Sequence, residues 1–310
     1  MKYLPLIPAI YLLASCEKTE TKVAQDISDS DKPSIYTTFY PTQYFAQRIA
    51  DDYADVICPV PPGADPIFWK PTSKIISDYQ QADLILLNGA SFAKWVETVN
   101  LPESRIVNTS ASFSSKFITY ENAVKHQHGD NGTHSHEGLD GHTWIDPVNA
   151  IMQADAIKSA LIKKWPEEKE RFVTNFASLK NDLESLDGEL KAASNSSPVL
   201  SSHPAYNYSA RRYGWNIYSL DLDLEEMPAD EVFAALKTTL ESHPAKTILW
   251  EGAPNELIKE RFKSELGLDS VVFSPCELAP ESGDYLSVMK RNIKALQSAM
   301  KHPLTSEIDQ

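Results

Sequence analysis

From Ser34 onward, short runs of β-branched and apolar residues alternate with stretches whose apolar positions recur every three or four residues. The runs at 34–40, 55–60, 83–88 and 105–108 predict strands, and 42–52 and 72–81 predict helices. The same order returns after residue 196. Strands are expected at 198–202, 215–220, 246–250 and 270–274, and helices at 205–213, 229–242, 254–266 and 284–300. Such alternation predicts βαβ units and mainly parallel sheets, because a parallel neighbour needs a crossover long enough to hold a helix. The expected fold class is therefore α/β, with two similar lobes at 34–146 and 195–301.

Residues 147–194 join the halves. Pro147 suits a first helical turn, where its missing N–H is not needed. Ile151, Ala154, Ile157, Leu161 and Ile162 form one apolar stripe, and Pro166 ends that helix and begins another. In the second helix Phe172, Phe176, Leu179, Leu183, Leu186 and Leu190 keep the same spacing over many turns. A long patterned helix between lobes predicts a rigid joint and small lobe motions. Residues 121–141 differ: they hold four glycines and the histidines 126, 128, 134 and 136, with no core-forming period, so their composition predicts a loop.

The N-terminal segment does not look like part of the fold. Lys2 precedes an apolar stretch over 3–13 that is too short to span a bilayer and carries Pro5 and Pro8. Residues 1–15 are expected to be a signal peptide. Leu13-Ala14-Ser15-Cys16 resembles a bacterial lipobox, which implies cleavage before Cys16 and lipidation of its thiol. The polar stretch 16–33 is expected to be a disordered tether, and 302–310 a tail. Length, at 310 residues, suits two domains, and an apolar fraction of 42% allows a sizeable core. With 29 basic and 43 acidic side chains the net charge is −14, which argues against a nucleic-acid partner and is compatible with handling cations. Three cysteines are too few for a disulfide scaffold.

Ligands of open α/β sheets bind beyond the carboxyl ends of the strands. The residues expected there include Asp65, Asn88, His203, Glu251, Cys276 and Glu277, while His142 stands just before the connecting helices. Two histidines and a glutamate converging on one cleft would have the composition of a zinc-type site. Each residue also has a plainer role: His203 as a hydrogen-bonded strand-end residue, Glu251 as an acceptor for backbone amides, Asp146 as the cap of the helix at Pro147. His243 and His302 read as surface residues. Phe68, Trp69 and Trp144 suit either a water-excluding wall beside the site or ordinary core packing.

The ordered set of motifs carries a resemblance. A lipobox, a first lobe, a histidine-rich loop, His142-Thr143-Trp144-Ile145-Asp146-Pro147, a long helix, and Ser202-His203-Pro204-Ala205-Tyr206-Asn207-Tyr208 ahead of Tyr213-Gly214 follow one another. Gly63-Ala64-Asp65-Pro66, Trp250-Glu251, and Tyr285 with Asn292 fall in the same order. From about Ile35 to Leu296 the chain resembles the zinc/manganese solute-binding lipoproteins of bacterial metal ABC transporters. The resemblance implies two Rossmann-like lobes, a rigid spanning helix and one metal in the cleft, with His142 and His203 as ligands. It also exposes two departures: Ile67 stands where the family has a metal-binding histidine, and Ser274 where it often has an aspartate.

Glu251 is then the expected third donor, although the family does not generally use it as a primary ligand; Asp65, Cys276 and Glu277 are further candidates. Two imidazoles and one carboxylate favour zinc over manganese, which prefers more oxygen ligands. His126, His128, His134 and His136 are expected to collect metal loosely. The function implied is capture of a divalent transition metal outside the inner membrane by a lipid-anchored, monomeric receptor, and its delivery to an ABC permease. The alternative from the residues alone is a zinc-dependent hydrolase, with an open His142/His203 site and Glu251 as general base. Against it stands the lack of a His-Glu-x-x-His helix, a nucleophile elbow or a phosphate loop. For Cys58 and Cys276 three readings stand: buried free thiols, Cys276 as a thiolate ligand, or a disulfide between the lobes.

Overall fold

A computed structural model of the chain describes residues 32–120, 124–127, 133–136 and 138–300. The expected signal segment with Cys16, most of the tether, His128, His302 and the tail lie outside the described residues. Strands β1 (Ser34–Thr37), β2 (Asp55–Ile57), β3 (Leu84–Leu87) and β4 (Ile106–Asn108) form a parallel sheet in the order β2-β1-β3-β4. Helices α1 (Tyr40–Ala50) and α2 (Ser73–Gln81) are its crossovers. Thr72 caps α2 by accepting from the Ile75 amide.

Residues 121–141 are more regular than their composition suggests. β5 (Val124–Gln127) and β6 (Thr133–His136) pair antiparallel, with His126 opposite His134 in the register. A bridge between Thr119 and Leu139, and amide bonds from Tyr120 to Gly138 and from Asp140 to Ile118, carry the pairing down to Asp140. Local antiparallel pairing satisfies backbone groups without needing an apolar face, which is why side-chain periodicity missed it.

Helix α3 (Pro147–Lys164) starts where expected: the Asp146 carboxylate accepts from the Val148 amide at 2.9 Å. A short 3-10 turn at Pro166–Glu168 leads into α4 (Lys169–Ala193), 25 residues long. The second lobe runs β7 (Pro198–Ser201), α5 (Asn207–Tyr213), β8 (Asn216–Ser219), α6 (Asp230–Ser242), β9 (Thr247–Trp250), α7 (Glu256–Leu266), β10 (Asp269–Val272) and α8 (Tyr285–Met300). Its parallel sheet has the order β10-β9-β7-β8. Counted from its own first strand this is again 2-1-3-4, so the lobes are topological repeats, and each has its switch point between its first and third strands.

β1, β2, β3, β7, β8 and β10 end before the predicted runs do, while β4 and β9 end where predicted. One apolar core crosses the lobes: Ile35, Phe45 and Leu86 of the first share it with Val199, Leu249 and Phe273 of the second through Phe172, Leu179, Leu183 and Leu186 of α4. α4 packs on α1, α3 and α8. α8 reaches back to the first lobe, where Tyr285 packs edge-on against Phe45 and donates to the Trp144 carbonyl at 2.9 Å. No helix among the described residues is long and apolar enough to cross a membrane.

Leu183 is fully buried in this shared core. Leu183→Ala removes apolar contacts and leaves a cavity, which costs about 2–5 kcal/mol. Urea unfolding should show that loss as a lower midpoint with an unchanged slope, in a single transition.

Candidate metal centre

The carboxyl ends of all four strands of the second sheet deliver polar side chains to one place. Asp221 follows β8, His203 follows β7, Glu251 follows β9, and Glu277 closes the loop after β10. Because β8, β7 and β9 are neighbours in the sheet, their following residues are neighbours as well. His203 Nδ1 lies 3.6 Å from Asp221 Oδ1 and 3.8 Å from Glu251 Oε2. The first lobe contributes His142, held by the base of the β5–β6 hairpin on one side and the turn into α3 on the other. The two imidazole rings stand 5.7 Å apart, nearly edge to face.

Glu277 is fixed against His142 by contacts across the lobes. The Tyr40 amide, at the start of α1, donates to the Glu277 carbonyl at 3.3 Å, and Trp144 Nε1 donates to the Pro275 carbonyl at 2.8 Å. Ser274 is clamped by Asn292, whose amide both accepts from its N–H and donates to its carbonyl. The result puts Glu277 Oε1 3.0 Å from His142 Nε2. At that distance the two form an ion pair while the ring is protonated. Two donors about 2.0–2.1 Å from a tetrahedral zinc stand roughly 3.3 Å apart. The pair is therefore spaced within a few tenths of an ångström of two corners of a zinc tetrahedron. Among the described residues no three histidine, cysteine or acidic side chains surround a common point.

Burial by itself lowers the pKa of His142, but its interactions with the Asp140 and Glu277 carboxylates outweigh burial and lift it to about 10. For His203, burial again acts downward, and Glu251 and Asp221 raise its pKa. Asp140, fully buried, accepts from His142 Nδ1 at 2.8 Å. A small cavity of about 20 Å³, room for one water, adjoins His142 and is walled by Ile67, Phe68, Phe92 and Tyr120.

The remaining sequence candidates are placed elsewhere. Asp65 accepts from the Ile67 amide at 2.8 Å and shapes its own turn. Cys276 is buried in the core beside the Leu278 carbonyl, and burial pushes its thiol up to about 12, which disfavours a thiolate. Cys58 and Cys276 are both free, which removes the disulfide reading. His243 is only half-exposed, with Nε2 2.9 Å from the Val199 carbonyl. The aromatic trio divides: Trp144 lies 5.5 Å from the His142 ring and Phe68, under Lys94, walls the cavity beside it, whereas Trp69 packs on Trp95 in a separate cluster. Asp140 and Asp221 were missed in the sequence. The available signals were the Asp-Gly-His spacing at 140–142 and the position of Asp221 just past a strand.

Comparison with known proteins identifies the family and the fold. The family profile described as zinc-uptake complex component A, periplasmic, matches residues 35–299. The high-affinity zinc uptake system protein ZnuA of Bacillus subtilis is 29% identical over 307 residues, 95% of this chain and 96% of that protein. The zinc-binding lipoprotein AdcA of Streptococcus pneumoniae is 28% identical over 86% of this chain, which spans only 55% of AdcA. Among solved structures, the metal-dependent lipoprotein YcdH of Bacillus subtilis superposes with a TM-score of 0.74 at 26% identity, covering 86% of this chain and 99% of that one. The Zn(II)-bound ZnuA-like domain of AdcA shares the fold, with a TM-score of 0.75 at 24% identity over 87% of this chain and all of that domain.

The raised pKa of His142 has a consequence for stability. With a folded pKa of about 10 against an unfolded value near 6.5, its contribution is complete below about pH 6.5 and is lost as pH rises through about 10. In metal-free protein, urea midpoints should fall between about pH 7 and pH 10, and His142→Gln should flatten that fall.

Proposed function

We propose, from the premise that this chain belongs to the family of periplasmic component A proteins of zinc-uptake complexes, that it captures Zn2+ outside the inner membrane and hands it to the permease of a metal ABC transporter. The observation that carries the site assignment is the His142 Nε2–Glu277 Oε1 pair at 3.0 Å, facing His203 across the lobes. His142 Nε2, His203 and Glu277 are the donors in this reading. Glu251 and Asp221 lie toward His203 Nδ1 and orient that ring. This moves Glu251 from donor to support. Three protein donors and a water would satisfy zinc without the histidine that Ile67 replaces. Manganese, with its preference for more oxygen, fits this set less well.

Capture follows from electrostatics. Before zinc binds, both nitrogens of His142 face carboxylates and the ring holds its second proton. Zinc displaces the Nε2 proton, takes Glu277 as counter-charge, and keeps the Nδ1–Asp140 contact. The family consists of solute-binding proteins, not enzymes, so the hydrolase reading of His142, His203 and Glu251 is set aside. Lipidation at Cys16, a tether over 16–33 and a monomeric receptor belong to the same proposal, as does loose metal collection by His126, His128, His134 and His136.

Calorimetric titration of metal-free protein tests the assignment. The parent should bind one zinc well below micromolar, which corresponds to more than about 8 kcal/mol. His142→Ala and His203→Ala should each lose at least about 100-fold, and Glu277→Ala should lose more than Glu251→Ala. Parent-like affinity in both histidine variants would place the site wrongly.

Deleting 126–136 leaves the Tyr120–Gly138 and Asp140–Ile118 amide bonds at the hairpin base in place. Zinc stoichiometry measured with an indicator dye should lose weak equivalents and keep the tight one. Loss of the tight equivalent would show that this segment supplies a primary donor.

A further inference from the structure

Asp140 makes more contacts than a buried acid needs for its own satisfaction. Its Oδ1 accepts from both the backbone N–H of His142, at 2.9 Å, and the ring Nδ1, at 2.8 Å. One oxygen thus holds the start of the side chain and its tip, which fixes the ring plane and leaves Nε2 pointing toward Glu277. A ring held only by packing could turn over and exchange its nitrogens; a carboxylate at Nδ1 specifies one tautomer.

The carboxylate is itself held, and from the opposite lobe. Asn207 Nδ2, at the first position of α5, donates to Asp140 Oδ2 at 3.0 Å and approaches the Pro204 carbonyl at 3.3 Å. Tyr208 Oη donates to the Asp140 carbonyl at 2.9 Å and accepts from the Ile118 amide at 3.1 Å. Tyr120 Oη donates to the Pro204 carbonyl at 3.3 Å. Pro204 directly follows His203. A short chain of bonds therefore runs from His142 through Asp140 and Asn207 to the residue next to His203. Every partner on this path is placed by backbone at a helix start or a hairpin base, so the path is stiff.

We infer that Asp140 is a positioning residue for metal capture, and that the Asp140–Asn207 link sets the spacing of His142 against His203 across the lobes. The inference rests on the zinc reading above. It concerns how far apart the donors stand and which nitrogen is presented, matters that the identity of the donors leaves open.

The test is zinc competition titration on the parent and on Asp140→Ala, Asp140→Asn and Asn207→Ala. Circular dichroism checks the fold, and long-range 1H–15N spectra of the histidine rings are recorded on zinc-loaded protein. Asp140→Ala should weaken zinc by about 10–100-fold. Asp140→Asn, which keeps an acceptor for Nδ1–H and loses the charge, should fall between it and the parent. Asn207→Ala, with Asp140 intact, should weaken zinc at least about threefold. The spectra should show His142 as a single Nδ1–H tautomer in the parent and as a mixture in Asp140→Ala, a change that general loss of stability would not produce. If the parent does not bind zinc, the zinc reading fails. If the parent binds and both alanine variants bind equally well with an unchanged His142 tautomer, the positioning role is wrong. Should Asp140→Ala fail to fold, parent-like affinity in Asn207→Ala would overturn the inference by itself.

Discussion

The apolar seam of α4 is the constraint on which the rest depends. Phe172, Leu179, Leu183, Leu186 and Leu190 are buried along one helix, and that helix packs on α1 of the first lobe and α8 of the second. Each such side chain contributes about 1.5–3 kcal/mol by leaving water, so the lobes cannot separate freely without exposing several of them. α8 adds a second brace through Tyr285, which meets Phe45 and the Trp144 carbonyl. The carboxyl ends of the second sheet are thereby held against His142 and the start of α1, and the site inherits its geometry from the brace.

Within that frame the electrostatics are arranged for a cation. His142 and His203 are both nearly dry, and each has its Nδ1 directed at carboxylate: Asp140 for the first, Asp221 and Glu251 for the second. Unpaired buried acids would be costly; without metal His142 answers that cost by holding a second proton, and the carboxylates beside His203 raise its pKa as well. Under the proposed assignment, a divalent ion entering between Nε2 of His142 and Glu277 would displace the proton there and be offset by the surrounding carboxylates. The aromatic wall of Phe39, Phe92 and Trp144 beside His142 keeps water from screening the pair. Rigid lobes and a nearly formed pair describe a receptor that adjusts locally around its ion.

Ile67 and Ser274, the two departures from the family pattern, have structural roles of their own. Ile67 is buried and walls a water-sized cavity beside His142. Ser274 serves the backbone: Asn292 bonds its N–H and its carbonyl, and its Oγ accepts from the Cys276 amide. That turn, with Cys276 at a positive φ of 61°, is what sends Glu277 back toward the histidines.

The two α/β lobes, the helical joint, the cap at Asp146 and the histidines 142 and 203 were all legible in the sequence. Each rests on local chemistry: periodicity marks buried faces, a proline marks a helix start, and a histidine at a strand end is visible in one dimension. The β5–β6 pairing was not legible, because backbone pairing between polar residues leaves no apolar period. Nor was the choice among Glu251, Glu277, Asp65 and Cys276, since all four stand near strand ends in the sequence. Only the sheet order β10-β9-β7-β8 and the docking of the 275–277 loop on Tyr40 and Trp144 bring Glu277 to His142 Nε2 and turn Glu251 toward His203 Nδ1. Asp140 was hidden for the same reason: its partners Asn207 and Tyr208 are 67 and 68 residues away, and contacts at that separation are set by packing of the lobes, which no local pattern encodes.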